Sequence, residues 1–307
     1  MDYLIALNQI LILFLLVAAG FFCRKIGILD EGSVSKLSKF LLHICIPAMV
    51  IYSMQIPFNE GTFENSAYLF VAALIYYCIA FVIAWFAPII LRAKREEYGI
   101  FRFMIMFSNS MFMGFPIISM IYGSYAIFYA AVFNIPFTIL SYSVGIWLLK
   151  KKGGAKFSFS PKILLNAAFI STIAGLVFFL TSFQIPDPIY GALGLLDDVT
   201  TPLSLVVTGG FLAGLNFKSI FTNVRQYFLA GIRLVIMPLV TFLVFSQFIT
   251  NPVVLGIIVV TAGMPAAVNT VILADEYGSN AKIAAQGVFI STLLCIATLP
   301  LLAVFLA

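Results

Sequence analysis

The sequence predicts an all-α membrane protein: ten transmembrane helices in two inverted five-helix repeats, with spans four and nine crossing as broken helices. Three observations lead there. The chain is 63% apolar and only 9% charged, far outside the range of soluble domains. Ten long apolar stretches recur, near residues 4–22, 34–56, 66–91, 100–121, 126–149, 162–184, 189–213, 226–248, 253–275 and 282–306. Finally, Pro47 and Pro202, Gly20 and Gly175, and the tripeptides Tyr122-Gly123-Ser124 and Tyr277-Gly278-Ser279 all share one offset of 155 residues, close to half the chain.

Each stretch is a continuous run of about 18–25 residues, enough to carry a helix across roughly 30 Å of hydrocarbon. A membrane β-barrel would show short alternating segments instead. Met1-Asp2-Tyr3 holds no Lys or Arg, and Arg24-Lys25 follow the first apolar run rather than precede it. The first span therefore reads as a retained helix, not a cleaved leader, with its N-terminus outside.

The remaining charges follow the same rule. Lys36 and Lys39, Arg92 to Arg102, Lys150 to Lys162, Lys218 with Arg225, and Lys282 all fall at the cytoplasmic ends of ten alternating spans. The opposite connections near 57–65, 122–125, 185–188 and 249–252 carry no Lys or Arg. This partition predicts a multi-pass protein of the cytoplasmic membrane with both termini outside. The net charge of +5 then reflects orientation in the bilayer and not a nucleic-acid partner, which would need a solvated basic face. Cys23, Cys45, Cys78 and Cys295 are scattered without metal-ligand spacing and read as small apolar fillers. No metal or cofactor is expected.

The polar segment 150–161 reads as a cytoplasmic linker between an N-terminal repeat, 1–149, and a C-terminal repeat, 162–307. Five spans in each copy is an odd number, so the second copy must be inverted relative to the first.

Span four contains Ser108-Asn109-Ser110-Met111-Phe112-Met113-Gly114-Phe115-Pro116. Span nine contains Thr261-Ala262-Gly263-Met264-Pro265-Ala266-Ala267-Val268-Asn269-Thr270. Proline inside a helix removes a donor and clashes with the preceding turn, and glycine weakens the helix further. In lipid, freed backbone groups must be buried in protein or line a polar cavity. Two such segments with Asn, Ser and Thr predict helices broken at mid-bilayer; simple proline kinks are the alternative. Thr200-Thr201-Pro202 resembles a helix start, which would place Asp197-Asp198 near the outer surface.

Each break offers the second half-helix's N-terminus, with free N–H groups and a positive dipole end. Supported by Asn109, Ser110, Asn269 and Thr270, two such ends form an anion-preferring site. Arg233 lies eight residues beyond the cytoplasmic Arg225, about 12 Å deeper along a helix. It either snorkels back or serves as counter-charge to an anion. His43, the single histidine, either couples proton movement or packs. Glu276 reads as a solvated helix end. A sodium site would use exposed carbonyls at the breaks with a nearby acid, and no acid lies there.

These residues resemble the auxin efflux carrier family. Asn109 through Pro116 with Tyr122-Gly123 is similar to that family's span-four signature. Gly263-Met264-Pro265 through Asn269 and Glu276-Tyr277 is similar to its span-nine counterpart, and Gly20, Arg24 to Gly27 and Pro47 fit its opening. The resemblance implies a substrate site on Asn109, Met113, Gly114 and Pro116 with Pro265 and Asn269 opposite. It also implies a scaffold of spans one, two, six and seven, a mobile remainder and a scaffold-joined homodimer. Its members carry small carboxylates. The short linker fits the compact organic-acid permeases of bacteria better than long-looped auxin exporters.

The expectation is a secondary carrier of a mono- or dicarboxylate such as malate or malonate, working by alternating access. An anion channel would show charge rings or filter loops. An intramembrane enzyme would need a nucleophile with its base, or paired acids on separate spans. Neither pattern is present. No phosphate-binding Gly-x-x-x-x-Gly-Lys loop points to ATP hydrolysis either.

Overall fold

The computed structural model describes residues 3–150, 166–214 and 223–306. The linker beyond Lys150, and Lys218, lie outside the described residues. Every regular element described is helical. In chain order these are α1 (Tyr3–Lys25), α2 (Glu31–Ser53), α3 (Glu60–Ile90), α4 (Tyr98–Met106), α5 (Ser110–Tyr122), α6 (Ala126–Leu149), α7 (Ala167–Thr181), α8 (Asp187–Ala213), α9 (Val224–Phe245), α10 (Pro252–Ala262), α11 (Asn269–Glu276) and α12 (Ala281–Leu306). Among them α2, α3, α6, α8, α9 and α12 are long and apolar enough to cross a membrane, and α5, α7 and α10 are shorter apolar helices.

Local chemistry sets the starts. The carboxylate of Asp30 accepts from the Ser33 N–H at 2.6 Å to open α2. Hydrogen bonds from Ser33 hold that carboxyl below its ordinary range. Asn59, Asn166 and Asn251 cap α3, α7 and α10 in the same way, from Thr62, Phe169 and Val253. The matching tripeptides prove to be matching stops. Gly123 ends α5 at φ +89° and Gly278 follows α11 at φ +72°, left-handed values that favour glycine.

Prolines inside α2, α5 and α9 are handled by one device. The residue before each donates its N–H five residues back instead of four: Ile46 to Leu41, Phe115 to Ser110, and Met237 to Ile232. The wider turn makes room for the ring and keeps the helix continuous. Pro116 is therefore not in the interruption of span four, as the motif implied, but inside α5. Pro202 likewise lies within α8, which begins at Asp187. Thr200 and Thr201 do not start a helix. The Thr200 hydroxyl donates to the Leu196 carbonyl at 2.7 Å, within the helix. Asp197 is consequently about 15 Å along α8 and buried, while its neighbour Asp198 is exposed.

Packing divides the helices into two groups. In the first, α1 lies along α8 and α2 packs on α7 and α8. Gly20 and Gly209 make the α1–α8 contact so close that a Cβ on either would collide with backbone, of Val206 and Val17 respectively. Gly175 of α7 packs against the Met54 side chain, which a Cβ there would displace. The second group joins α3 to α6 with α9 to α12, and one continuous apolar core runs through both groups.

Candidate functional site at the meeting of two broken helices

Two interruptions, residues 107–109 between α4 and α5 and residues 263–268 between α10 and α11, meet inside the second group. Phe107 is extended, and Ser108 pairs antiparallel with Ala266. The Asn109 N–H donates to the Pro265 carbonyl at 2.8 Å, and the Ala267 N–H donates to the Phe107 carbonyl at 3.2 Å. The Ala266 N–H donates to the Ser291 hydroxyl at 3.1 Å. Backbone freed by each break is thus satisfied largely by the other, as burial away from water demands.

Four helix ends converge here. At one pole α4 and α10 finish, leaving carbonyls without intrahelical partners. Arg233 occupies this pole and is 0% exposed. Its Nε donates to the Met264 carbonyl at 3.0 Å, Nη1 to the Ile105 carbonyl and the Tyr76 hydroxyl, both at 3.0 Å, and Nη2 to the Thr261 carbonyl at 3.4 Å. The snorkelling expectation is corrected: the guanidinium points inward, to the helix ends. The wide turn of α9 at residues 232–236 carries it there.

At the opposite pole α5 and α11 begin. Here the Ser108 Oγ, the Asn109 Nδ2 and the Thr270 Oγ1 are buried with no hydrogen-bond partner. Their residues are 1%, 3% and 0% exposed. Such orphaned groups are few in native interiors; among the described residues Gln55, Arg102, Gln226 and Thr298 hold the others, and only here do three fall together. Ser110 is different, since its hydroxyl donates to the Asn134 Oδ1 at 2.8 Å. Met113, Gly114, Pro116, Gly263 and Pro265 are buried around the crossing, with Gly114 facing Met264.

A cavity of about 170 Å³ runs from this second pole. Met111 of α5, Ala267 and Asn269 form its inner end, and Phe103, Thr138, Ser141, Tyr142 and Leu273 continue the wall of the second helix group. Leu42 and His43 of α2, with residues 166–168 at the start of α7, form the wall supplied by the first group. The His43 Nδ1 donates to the Lys39 carbonyl of its own helix at 2.9 Å, with the ring in the cavity wall. Of the residues singled out by sequence, the structure brings Asn269 and His43 to the cavity and Asn109 and Thr270 to the pole beside it. Arg233 stands at the other pole. Tyr76, Asn134, Ser141, Tyr142 and Ser291 were not singled out. Asn134, two residues before Pro136 in mid-span, carried the same signal as Asn109.

No group of His, Cys, Asp and Glu suited to holding a metal occurs among the described residues. A family model described as membrane transport protein matches residues 5–159 and 155–303. An uncharacterized transporter of Methanothermobacter thermautotrophicus is 25% identical over 307 residues, covering 97% of this chain and 98% of the relative. An uncharacterized transporter of Methanocaldococcus jannaschii is 23% identical, covering 94% of this chain and 95% of its own length.

Proposed function

Because the chain belongs to the membrane transport protein family, we propose that it is a secondary carrier moving a small organic anion across the cytoplasmic membrane by alternating access. The substrate is a mono- or dicarboxylate of the size of malate or malonate; auxin is the less favoured choice. The observation that carries this reading is the unpaired pole. Two helix N-termini, each worth about half a positive charge, converge beside the orphaned Asn109 Nδ2 and Thr270 Oγ1, and a cavity lined by their neighbours Met111, Ala267 and Asn269 opens next to them. A carboxylate would accept there what the protein leaves unmet. Among the described residues that line the cavity, no acid stands to repel it.

The cavity volume is about 170 Å³. That favours an acid of a few carbons. The two packing groups supply the moving parts of this reading: α1, α2, α7 and α8 as scaffold, joined to a second copy in a homodimer, and the rest as the unit that carries the crossing. By the charge rule both termini lie outside. The cavity, which extends towards Asn166, then faces the cytoplasm, and sliding or rocking of the second group would expose the same pole outside.

Counterflow tests the proposal. Proteoliposomes preloaded with unlabelled malonate or malate should transiently accumulate labelled acid, with saturation. Flux that never saturates would make the protein a channel, and flux absent for every mono- and dicarboxylate would reject an organic-anion carrier.

A further inference from the structure

Carbonyls at unwound breaks and at half-helix C-termini are the groups with which carriers of this general design hold coupling cations. In this chain three of those carbonyls are already engaged by one side chain. Ile105 and Thr261 each lie one residue before the last of α4 and α10, and Met264 lies in the second break. All three accept from one buried guanidinium. No carboxylate is paired with Arg233 among the described ion pairs, which join Arg24 to Glu31 and Arg225 to Glu97. Its charge is instead balanced by two helix C-termini of about half a negative charge each. Tyr76 fixes the fork's orientation from α3.

We infer that Arg233 is a built-in counter-cation filling the place of a coupling cation at the crossing, so that transport proceeds without sodium. Arg233 is a positioning residue: it ties the ends of α4 and α10 together and fixes where α5 and α11 begin. An arginine suits this better than a lysine, because its planar fork reaches several acceptors at once and it does not lose its proton. A covalently tethered cation cannot be released, so the pole stays neutralised throughout the cycle and only the opposite pole changes occupancy. The consequence for transport rests on the carrier reading; the cation-site chemistry does not.

The experiment has two arms, on the purified full chain. In detergent, Arg233→Ala should lower Tm by about 5–10 °C. Added methylguanidinium should restore at least half of that loss saturably, while leaving wild type unmoved. Should that variant not accumulate, Arg233→Lys, which keeps the charge and loses the fork, takes its place with a smaller loss and partial rescue. In proteoliposomes, wild-type counterflow should be equal in sodium and potassium media. The inference is overturned if either variant melts with wild type, if methylguanidinium shifts variant and wild type alike, or if sodium speeds wild-type flux by about tenfold. If no carboxylate moves at all, the carrier reading fails while the melting arm still decides the role of Arg233.

Discussion

Where α4 and α10 finish, Arg233 answers the carbonyls of Ile105, Thr261 and Met264. A short distance away, where α5 and α11 begin, Ser108, Asn109 and Thr270 keep buried polar atoms with no partner. The two poles come from the same pair of breaks and face the same low-dielectric surroundings. Their difference is one of occupancy: the negative pole carries its counter-charge within the chain, and the positive pole does not. A protein built only for stability would satisfy both, since an unmet buried donor costs about 1–3 kcal/mol. Leaving one pole unmet is what a binding site for a transient anion requires.

Breaking the filled pole should give the largest effect on stability. Removing one partner of a buried charge network leaves the remaining groups uncompensated, at about 3–5 kcal/mol, so Arg233→Ala should melt well below wild type. Breaking the open pole should do the reverse. Asn109→Ala removes an amide donor that makes no hydrogen bond within the protein. Carboxylate uptake should fall about 10–100-fold, the worth of one charge-assisted hydrogen bond, while Tm stays within about 2 °C of wild type. A Tm loss as large as that of Arg233→Ala would mean that Asn109 is structural and the poles are not different in kind.

Thr270→Val sharpens the contrast. The side chain is nearly isosteric and the lost hydroxyl is unpartnered, so stability should hold or rise slightly as KM rises about tenfold. An unchanged KM in uptake kinetics would take Thr270 out of the site. Two smaller effects calibrate the scale. Ser110→Ala breaks the Ser110–Asn134 bond of 2.8 Å and should cost about 1 kcal/mol in chemical denaturation. Tyr76→Phe deletes one of the four hydrogen bonds of Arg233 and should lower Tm by a few degrees at most, with KM unaltered. Either of these exceeding Arg233→Ala would invert the ranking that the two poles impose.

Much of this was legible in the sequence, for definable reasons. Helices announced themselves because apolar runs in lipid have few other ways to satisfy their backbone. The Tyr-Gly-Ser tripeptides were legible only as a shared offset; that each holds a left-handed glycine at a helix end, Gly123 and Gly278, came from the backbone. Breaks were located within a turn but not to the residue. Pro265 does lie in its break, whereas Pro116, read as part of the other break, and Pro202, read as a helix start, sit inside continuous helices; the interruptions are 107–109 and 263–268. A helix that widens one turn can keep its proline, and nothing in the local residue pattern distinguishes that outcome. The direction of Arg233 was not legible either. Depth can be counted from Arg225, but whether a long side chain turns to the interface or to a helix end depends on α4 and α10 arriving beside it. Tyr76 was invisible for the same reason: next to Tyr77 it resembles any membrane aromatic until its hydroxyl meets the guanidinium.

The most direct measurement is a thermal shift of the purified protein titrated with malonate or malate, run on wild type and on the Asn109→Ala, Thr270→Val double variant. Ligand that binds only the folded state raises Tm in proportion to its occupancy. Wild type should rise saturably with one acid of the set, and the double variant should start at an equal or higher Tm and show no rise. Equal shifts in both proteins would place the anion elsewhere and contradict the account of the open pole.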